Sequence, residues 1–179
     1  MHWSRKLMSP FARSAHAGRA VAATGGGVVV HPQEIVLDVE AGDGAAVLNA
    51  AAAYVGRGHG LDPAPIARAL RRREEAASTA LGHAVAVPHA RVAGIAQPLT
   101  LFLRTRHPVP FGAPDGREVS NFFVIIVPAD GDAERHLELL ANVASAFGER
   151  SFRTELAEAA TAHQVDEAFG RRFPPVVHS

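Results

Sequence analysis

Residues 119–127 read VSNFFVIIV, and this nearly continuous apolar run decides the class of fold. A strand with one solvent-exposed face alternates apolar and polar residues, whereas a strand covered on both faces is apolar almost throughout. Pro128 stops the run, because proline has no backbone N–H to continue a ladder. The stretch therefore predicts a sheet that is packed on both of its faces.

Upstream of this run, short strands alternate with helices. The segments IVLDV at 35–39, AVAV at 84–87 and LTLFLR at 99–104 predict strands. Asp43 is a candidate cap for an alanine-rich helix that we expect to end among the glycines at 56, 58 and 60. Asp62 predicts a second helix start, because it is followed by proline at the first helical position.

The C-terminal third predicts helices. Asp132 is a candidate cap for a helix, and shorter helices are expected near 150–159 and 164–170. Apolar residues in the first helix recur at spacings of three and four and predict a single buried stripe: Leu137, Leu140, Ala141, Ala144 and Phe147. Strands interleaved with helices on a fully buried sheet predict a single-domain α/β sandwich.

Composition excludes several classes of protein. The chain has 179 residues, 47% of them hydrophobic, and a formal net charge of zero, which does not suit a strongly basic nucleic-acid binder. No apolar run approaches the roughly 18 residues that span a bilayer. Cysteine is absent, which excludes disulfides, thiol catalysis and cysteine-ligated metals. The ten histidines are the abundant groups that titrate near neutrality, so chemistry is sought there first.

The charge is divided unevenly along the chain. Residues 1–32 hold four basic residues and no acid, which leaves 14 basic against 18 acidic residues beyond them. We expect a basic, disordered tail over 1–32, with a flexible hinge at Gly25–Gly27, although a transit peptide or a start at Met8 are alternatives. A domain over 33–170 and a C-terminal tail over 171–179 complete the predicted organisation.

Three side chains are candidates for chemistry. His89 follows a predicted strand and Pro88, which restrains the backbone that carries the imidazole. His136 falls in the first turn of the helix after Asp132, where the positive helix end should lower its pKa and attract anions. Arg73 lies near the end of the second helix beside Glu74 and offers a fork for a phosphoryl or carboxylate group.

Each candidate also has an ordinary structural interpretation. A lone histidine after a strand is often a loop residue, and His136 beside Leu137 could be a half-exposed helix residue. The RRREE run at 71–75 is typical of a solvated helix end. A zinc site on His89 and His136 would need a third ligand that the spacing does not supply. Spacing alone leaves these alternatives open.

A longer set of motifs resembles a known family. Arg73-Glu74, Ser78-Thr79 and GHAVAVPH at 82–89 resemble the active-site signature of the fructose/mannitol-type (type 2) enzyme IIA domains of the bacterial phosphotransferase system. His136-Leu137 with Leu140 resembles the family's second histidine motif. FGAPDG at 111–116 with Val119, followed by VIIVP, resembles the nitrogen-regulatory branch, called PtsN or enzyme IIA-Ntr. The resemblance covers roughly residues 33–170.

The resemblance implies a phosphohistidine carrier with a mixed sheet flanked by helices on both faces. His89 would accept the phosphoryl group, His136 would pack against its ring and donate to a phosphoryl oxygen, and Arg73 would supply the cationic fork. Thr79 is a further candidate hydroxyl donor. Positioning and charge stabilisation carry such a transfer, so neither a metal nor a cofactor is expected. The protein would be a phosphotransferase component rather than a stand-alone enzyme.

The sequence departs from the family's pattern near this site. The family commonly has glycine before the Ser-Thr pair and a Gly-Ile-Gly run after it. Here Ala77 stands before the pair and Ala80-Leu81 replaces the first two residues of that run. His83 fills a position that is often small or polar. Alanine restricts the backbone freedom that glycine allows, so we expect a loop of different shape without loss of a reacting group.

Three functions compete at this point. The family's nitrogen branch implies a cytoplasmic regulator, phosphorylated by a histidine phosphocarrier of the HPr or NPr type, whose phosphorylation state controls binding to a potassium transporter or sensor kinase. The alternative is a sugar-transport protein that passes the phosphoryl group to a separate IIB subunit. A metal-dependent hydrolase using His89 and His136 is the third. We expect no nucleic-acid partner, and FGAPDG favours the regulator.

Overall fold

A seven-stranded mixed sheet is the centre of the computed structural model, which describes residues 15–17 and 30–174. The strands are β1 (Ala15–Ala17), β2 (Glu34–Val39), β3 (Ala80–Gly82), β4 (Val85–Ala86), β5 (His89–Val92), β6 (Leu99–Val109) and β7 (Val119–Pro128). The helices are α1 (Gly44–His59), α2 (Pro63–Ala76), α3 (Ala133–Gly148), α4 (Arg150–Glu158) and α5 (Ala162–Arg172).

The run that predicted a doubly covered strand forms β7 in the interior of the sheet. The strand order is β1-β2-β6-β7-β4-β3, and β5 also pairs with β7. β7 is antiparallel to β6 and parallel to both β4 and β5, while β2 is parallel to β6. The predicted mixed sheet is confirmed.

Helices cover both faces of the sheet. On one face, Val124 and Ile126 of β7 pack with α1 and α2, and on the other, Phe123 and Ile125 pack with α3, α4 and α5. Alternate residues of β7 point to opposite faces because the side-chain period of a strand is two. The predicted α/β sandwich with helices on both faces is confirmed.

The three predicted aspartate caps are present. Asp43 accepts a hydrogen bond from the Ala46 N–H at 2.7 Å, and Asp62 accepts one from the Ala64 N–H at 2.9 Å. Asp132 accepts one from the N–H of Glu134, at 2.8 Å. α1 runs on through two of its glycines and ends at Gly60, whose φ of 65° belongs to the left-handed region that a C-cap requires.

The predicted stripe of α3 is wrong for most of its members. Leu137, Ala141 and Ala144 are exposed, and Leu140 is half-buried. The buried residues are Leu139, Val143, Ala146 and Phe147, of which Phe147 alone belongs to the predicted stripe. α3 carries apolar residues on two faces that both satisfy a helical period, and the sheet accepts only one of them.

Several predicted boundaries shift. β4 is limited to Val85–Ala86, β6 extends to Val109, and α5 spans Ala162–Arg172. A strand begins at His89 instead of ending before it, because β5 resumes the parallel pairing with β7 after Pro88. The imidazole is therefore carried by a sheet strand and not by a loop.

The terminal segments lie largely outside the described residues. Of the predicted tail, Ala15–Ala17 form β1 and pair antiparallel with β2, and Val30 is buried. The predicted glycine hinge at 25–27 and residues 175–179 lie outside the described ranges. The boundaries at 33 and 170 stay predictions. No helix within the described ranges is long and apolar enough to cross a membrane.

Candidate active site

Three of the predicted site residues meet at one end of the fold. Arg73 is in the last turn of α2, His89 opens β5, and His136 lies in the first turn of α3. β5 packs against α2 and pairs with β7, and the chain leaves β7 through a short loop into α3. These connections bring residues from three distant parts of the sequence to the same cleft.

The hydrogen bonds of His89 define its tautomer. Nδ1 lies 2.9 Å from the Val87 carbonyl oxygen, and Nε2 lies 3.1 Å from Nε of Arg73. A guanidinium can only donate, so Nε2 is the acceptor and carries the lone pair. Nδ1 then carries the proton and donates it to the Val87 carbonyl. The ring therefore presents a nucleophilic nitrogen beside a cation.

The surroundings of His89 also hold it neutral. Burial lowers the pKa of the imidazole, and the positive charge of Arg73 lowers it further, while the hydrogen bond to Val87 and the Glu74 carboxylate act in the opposite direction. Since an unperturbed histidine titrates near pH 6.5, the lowered pKa leaves the ring unprotonated at pH 7. An unprotonated imidazole is a competent nucleophile at that pH.

His136 packs next to this ring. The two ring centroids are 5.6 Å apart with planes inclined at 55°. Burial lowers the pKa of His136, and electrostatic interaction with His89 and Arg91 lowers it further. The direction agrees with the prediction, but the causes are burial and these two neighbours and not the helix end. Its Nδ1 is buried without a hydrogen-bond partner among the described residues.

Arg73 has donors left for an anion. Its Nε donates to His89 and its Nη1 donates to the Ala77 carbonyl at 2.8 Å. The guanidinium has five N–H groups in a planar fork, so further N–H groups remain for oxygen acceptors near Nε2. The bond to Ala77 fixes the plane of the fork from the end of its own helix.

Thr79 makes a different contact from the predicted one. Its hydroxyl donates to the Glu74 carboxylate at 2.5 Å, and its backbone N–H donates to the same group at 2.9 and 3.1 Å. Its carbonyl accepts the Val87 N–H at 3.0 Å. The contacts thus run from Glu74 through Thr79 to Val87, whose carbonyl orients His89.

Sequence reasoning missed two of these residues. Glu74 stood in the quoted motif beside Arg73, but its contact with Thr79 needs the turn that brings the end of α2 back to the following strand. Val87 acts on His89 through its backbone carbonyl, and side-chain identity carries no signal for such a contact.

A basic cleft surrounds the two histidines. Its volume is about 780 Å³, and four arginines line it: Arg68, Arg72, Arg73 and Arg91. No carboxylate is among its lining residues in the described part of the chain. The repeated arginines of α2 were a visible signal, since Arg68 and Arg72 are four residues apart and share a helix face.

Among residues 30–174, no three histidine, aspartate or glutamate side chains are grouped as a metal site. The third ligand that a zinc hydrolase would need beside His89 and His136 is therefore not found in that range. His89 and His136 instead face each other with arginines around them, a donor-rich setting that suits an anion.

Comparison with protein families gives a match over most of the chain. The family described as the phosphoenolpyruvate-dependent sugar phosphotransferase system, EIIA 2, matches residues 29–171. These bounds include the whole arginine-lined cleft, both of its histidines and the FGAPDG segment.

Individual proteins are similar over parts of the chain. A nitrogen regulatory protein of Pseudomonas aeruginosa is 39% identical over 90 residues, which are 50% of this chain and 58% of that relative. A fructose-specific EIIA component of Haloferax volcanii is 31% identical over 99 residues, covering 55% and 64% of the two chains. The aligned regions therefore span less than two thirds of the length of either relative.

A solved structure extends the similarity to the fold. The nitrogen regulatory protein IIA-Ntr of Neisseria meningitidis superposes with a TM-score of 0.71 and is 38% identical in sequence. The alignment covers 75% of this chain and 92% of that one.

Proposed function

The chain belongs to the EIIA 2 family of the phosphoenolpyruvate-dependent sugar phosphotransferase system, and we propose that it is a phosphoryl carrier that acts mainly as a nitrogen-type regulatory protein. His89 is the proposed acceptor, and a histidine phosphocarrier of the HPr or NPr type is the proposed donor. The observation that carries this proposal is the tautomer of His89, whose Nε2 holds its lone pair beside Arg73.

The transfer step follows from that tautomer. The Nε2 lone pair forms the new N–P bond while the N–P bond of the donor breaks. The electron pair of the broken bond returns to the donor's ring nitrogen. The Nδ1 proton stays on His89, held by the Val87 carbonyl. During transfer, charge spreads over the three equatorial oxygens of the phosphoryl group, so the protein's part is positioning and charge stabilisation.

Neighbouring side chains have distinct proposed roles. Arg73 turns its fork from Nε2 to the phosphoryl oxygens, because Nε2 ceases to be an acceptor once it binds phosphorus. His136 supplies an N–H to another oxygen from the adjacent ring. We assign Thr79 a positioning role, since its hydroxyl proton is used in the bond to Glu74.

Regulation is favoured over sugar transport by the nature of the charge change. Phosphorylation adds about −1.5 to −2 charges at pH 7. In a cleft lined by four arginines, this change removes roughly half of the positive charge. A partner that recognises the free form by its charge then binds the phosphorylated form more weakly.

The names of the similar proteins support the same choice. The nitrogen regulatory proteins of Pseudomonas aeruginosa and Neisseria meningitidis are 39% and 38% identical to this chain, against 31% for the fructose-specific component of Haloferax volcanii and 36%, over 63 residues, for a fructose-like EIIA component of Escherichia coli. The proposed targets are a potassium transporter or a sensor kinase, and the proposed location is the cytoplasm. Transfer to a separate IIB subunit remains the second candidate, because sugar-specific relatives share the family.

The test is the intact mass of the protein after incubation with phosphoenolpyruvate, enzyme I and each type of histidine phosphocarrier. We expect one acid-labile phosphoryl adduct on the wild type and none on His89→Gln. His83→Gln is the matched control, since it changes an exposed histidine of the same motif and should keep the adduct. An adduct retained by folded His89→Gln would contradict the proposal.

A second arm separates regulation from transport. The phosphorylated protein is mixed with candidate IIB subunits, and the mass of both proteins is followed. If the protein is a regulator, it should return the phosphoryl group to the phosphocarrier readily. Over the same time it should not transfer the group to any of the IIB subunits. Rapid and complete transfer to one IIB subunit would favour the sugar-transport alternative.

A further inference from the structure

We propose that the basic cleft and an exposed apolar strip on α3 form one docking surface for a phosphoryl-transfer protein whose contact face is acidic. The strip consists of the exposed Leu137, Ala141 and Ala144, with the half-buried Leu140 beside them. This inference rests on the proposed function, because it names the chemistry of the protein that exchanges a phosphoryl group with His89.

The cleft holds more positive charge than one phosphoryl group needs. Arg73 is placed to contact that group, whereas Arg68, Arg72 and Arg91 are exposed around it. None of the four forms an ion pair with a carboxylate in the described part of the chain, where the paired arginines are Arg106, Arg171 and Arg172. Arg68, Arg72 and Arg91 are therefore available to contact an anionic partner.

The positive charge is local to the cleft. Beyond residue 32 the chain has 14 basic and 18 acidic residues, so the body as a whole is negative. Arg68 and Arg72 repel each other across one helical turn, and like charges at this spacing destabilise a helix. An acidic surface seated on the cleft would relieve that repulsion and would be steered to it from a distance.

The apolar strip indicates that the anionic partner is a protein. Leu137, next to His136 in the sequence, is 64% exposed, and Ala141 and Ala144 are also exposed. A small anion gains nothing from an apolar surface beside its site. Protein interfaces, in contrast, combine apolar with charged surface, and α3 carries both the apolar strip and His136 of the arginine-lined cleft.

The experiment measures the rate of phosphorylation of His89 from three donors across ionic strengths of about 0.02 to 0.5 M. Two donors are phosphorylated histidine phosphocarriers, one with an acidic contact face and one with a basic one. The third is phosphoramidate, a small donor that needs no docking. The variants are Arg68→Glu/Arg72→Glu and Leu137→Gln, with Arg150→Glu, on the exposed start of α4, as a control that reverses one arginine outside the cleft.

We expect the wild type to react faster with the acidic phosphocarrier, and the advantage to shrink as salt rises. The double reversal should lower the rate with this donor at least about tenfold more than the rate with phosphoramidate, and should invert the preference between the two phosphocarriers. Leu137→Gln should slow both phosphocarriers at every ionic strength. Arg150→Glu should react like the wild type.

The outcomes separate this inference from the proposed function. If phosphoramidate and both phosphocarriers fail to modify His89 in folded wild type, the proposed function itself is wrong. If His89 is modified but the double reversal slows every donor equally, the arginines bind small anions and the docking surface is overturned. A double reversal without effect on any donor would overturn it as well.

Discussion

Replacing Arg73 tests the proposed mechanism most directly. Arg73→Met keeps the length of the stem and removes both the charge and the donors, whereas Arg73→Lys keeps the charge without the planar fork. In the present structure the side chain donates to Nε2 of His89 at 3.1 Å and to the Ala77 carbonyl at 2.8 Å. The two variants therefore separate charge from geometry.

The size of the effect follows from these contacts. A hydrogen bond from a charged group contributes about 1.5–3 kcal/mol, and a fork can make two of them to the phosphoryl oxygens. The wild type must first release its bond to Nε2, which is also donated by the charged guanidinium and is worth about 1.5–3 kcal/mol. The remaining loss is about 1.5–3 kcal/mol, so Arg73→Met should react about 10- to 150-fold more slowly.

A second measurement distinguishes this role from a structural one. Burial is the largest cause of the lowered pKa of His89, and the charge of Arg73 adds to it. Arg73→Met should therefore raise the pKa of His89, whereas Arg73→Lys should keep most of the lowering. NMR titration of the ring measures both values, and thermal unfolding checks that each variant is folded.

A rate for Arg73→Met within about threefold of the wild type would refute the proposed role of the guanidinium. A wild-type rate for Arg73→Lys would refute it as well, because the fork would then contribute nothing beyond its charge. An unchanged pKa of His89 in Arg73→Met would show that the guanidinium does not act on the imidazole.

Three further predictions follow from the same contacts. Thr79→Val removes the hydroxyl bond to Glu74 but keeps the backbone one, and should lower the free energy of unfolding in urea by about 1–2 kcal/mol; no change would mean that the bond is not part of the support of the site. Because the pKa of His89 is lowered, the folded state binds fewer protons than the unfolded state, so the free energy of unfolding should fall as pH drops below about 6.5. Urea unfolding at several pH values should show a smaller fall for His89→Gln than for the wild type. An equal fall would contradict the contribution of His89. His83→Gly should stabilise by up to about 1 kcal/mol, since His83 has a φ of 54° in the left-handed region; a clear loss of stability would show that the His83 side chain contributes more than its backbone costs.

Local features of the fold could be predicted because their causes are local. An aspartate before a helix caps N–H groups two or three residues away, so Asp43, Asp62 and Asp132 were recognisable from the sequence. The apolar run that forms β7 lacks the alternating polar residues of a strand with a solvent-exposed face. This pattern lies within one short segment, so the sequence was enough to predict a sheet covered on both faces.

The face of α3 could not be predicted in this way. Leu137 and Leu139 each belong to a set of apolar residues with helical spacing, so the spacing allows either one to face the sheet. Only the packing of the helix on the sheet buries Leu139 and exposes Leu137. The error is informative, because the exposed residues form the strip that we assign to docking.

The sequence by itself determined the α/β class, the helix caps and, through its motifs, the candidate residues His89, His136 and Arg73. The tertiary structure alone decided which nitrogen of His89 carries the lone pair, because the Val87 carbonyl contacts Nδ1 and a guanidinium sixteen residues upstream donates to Nε2. It also decided that four arginines line one cleft. Tautomer and local charge arise from distances between groups that the chain order does not encode.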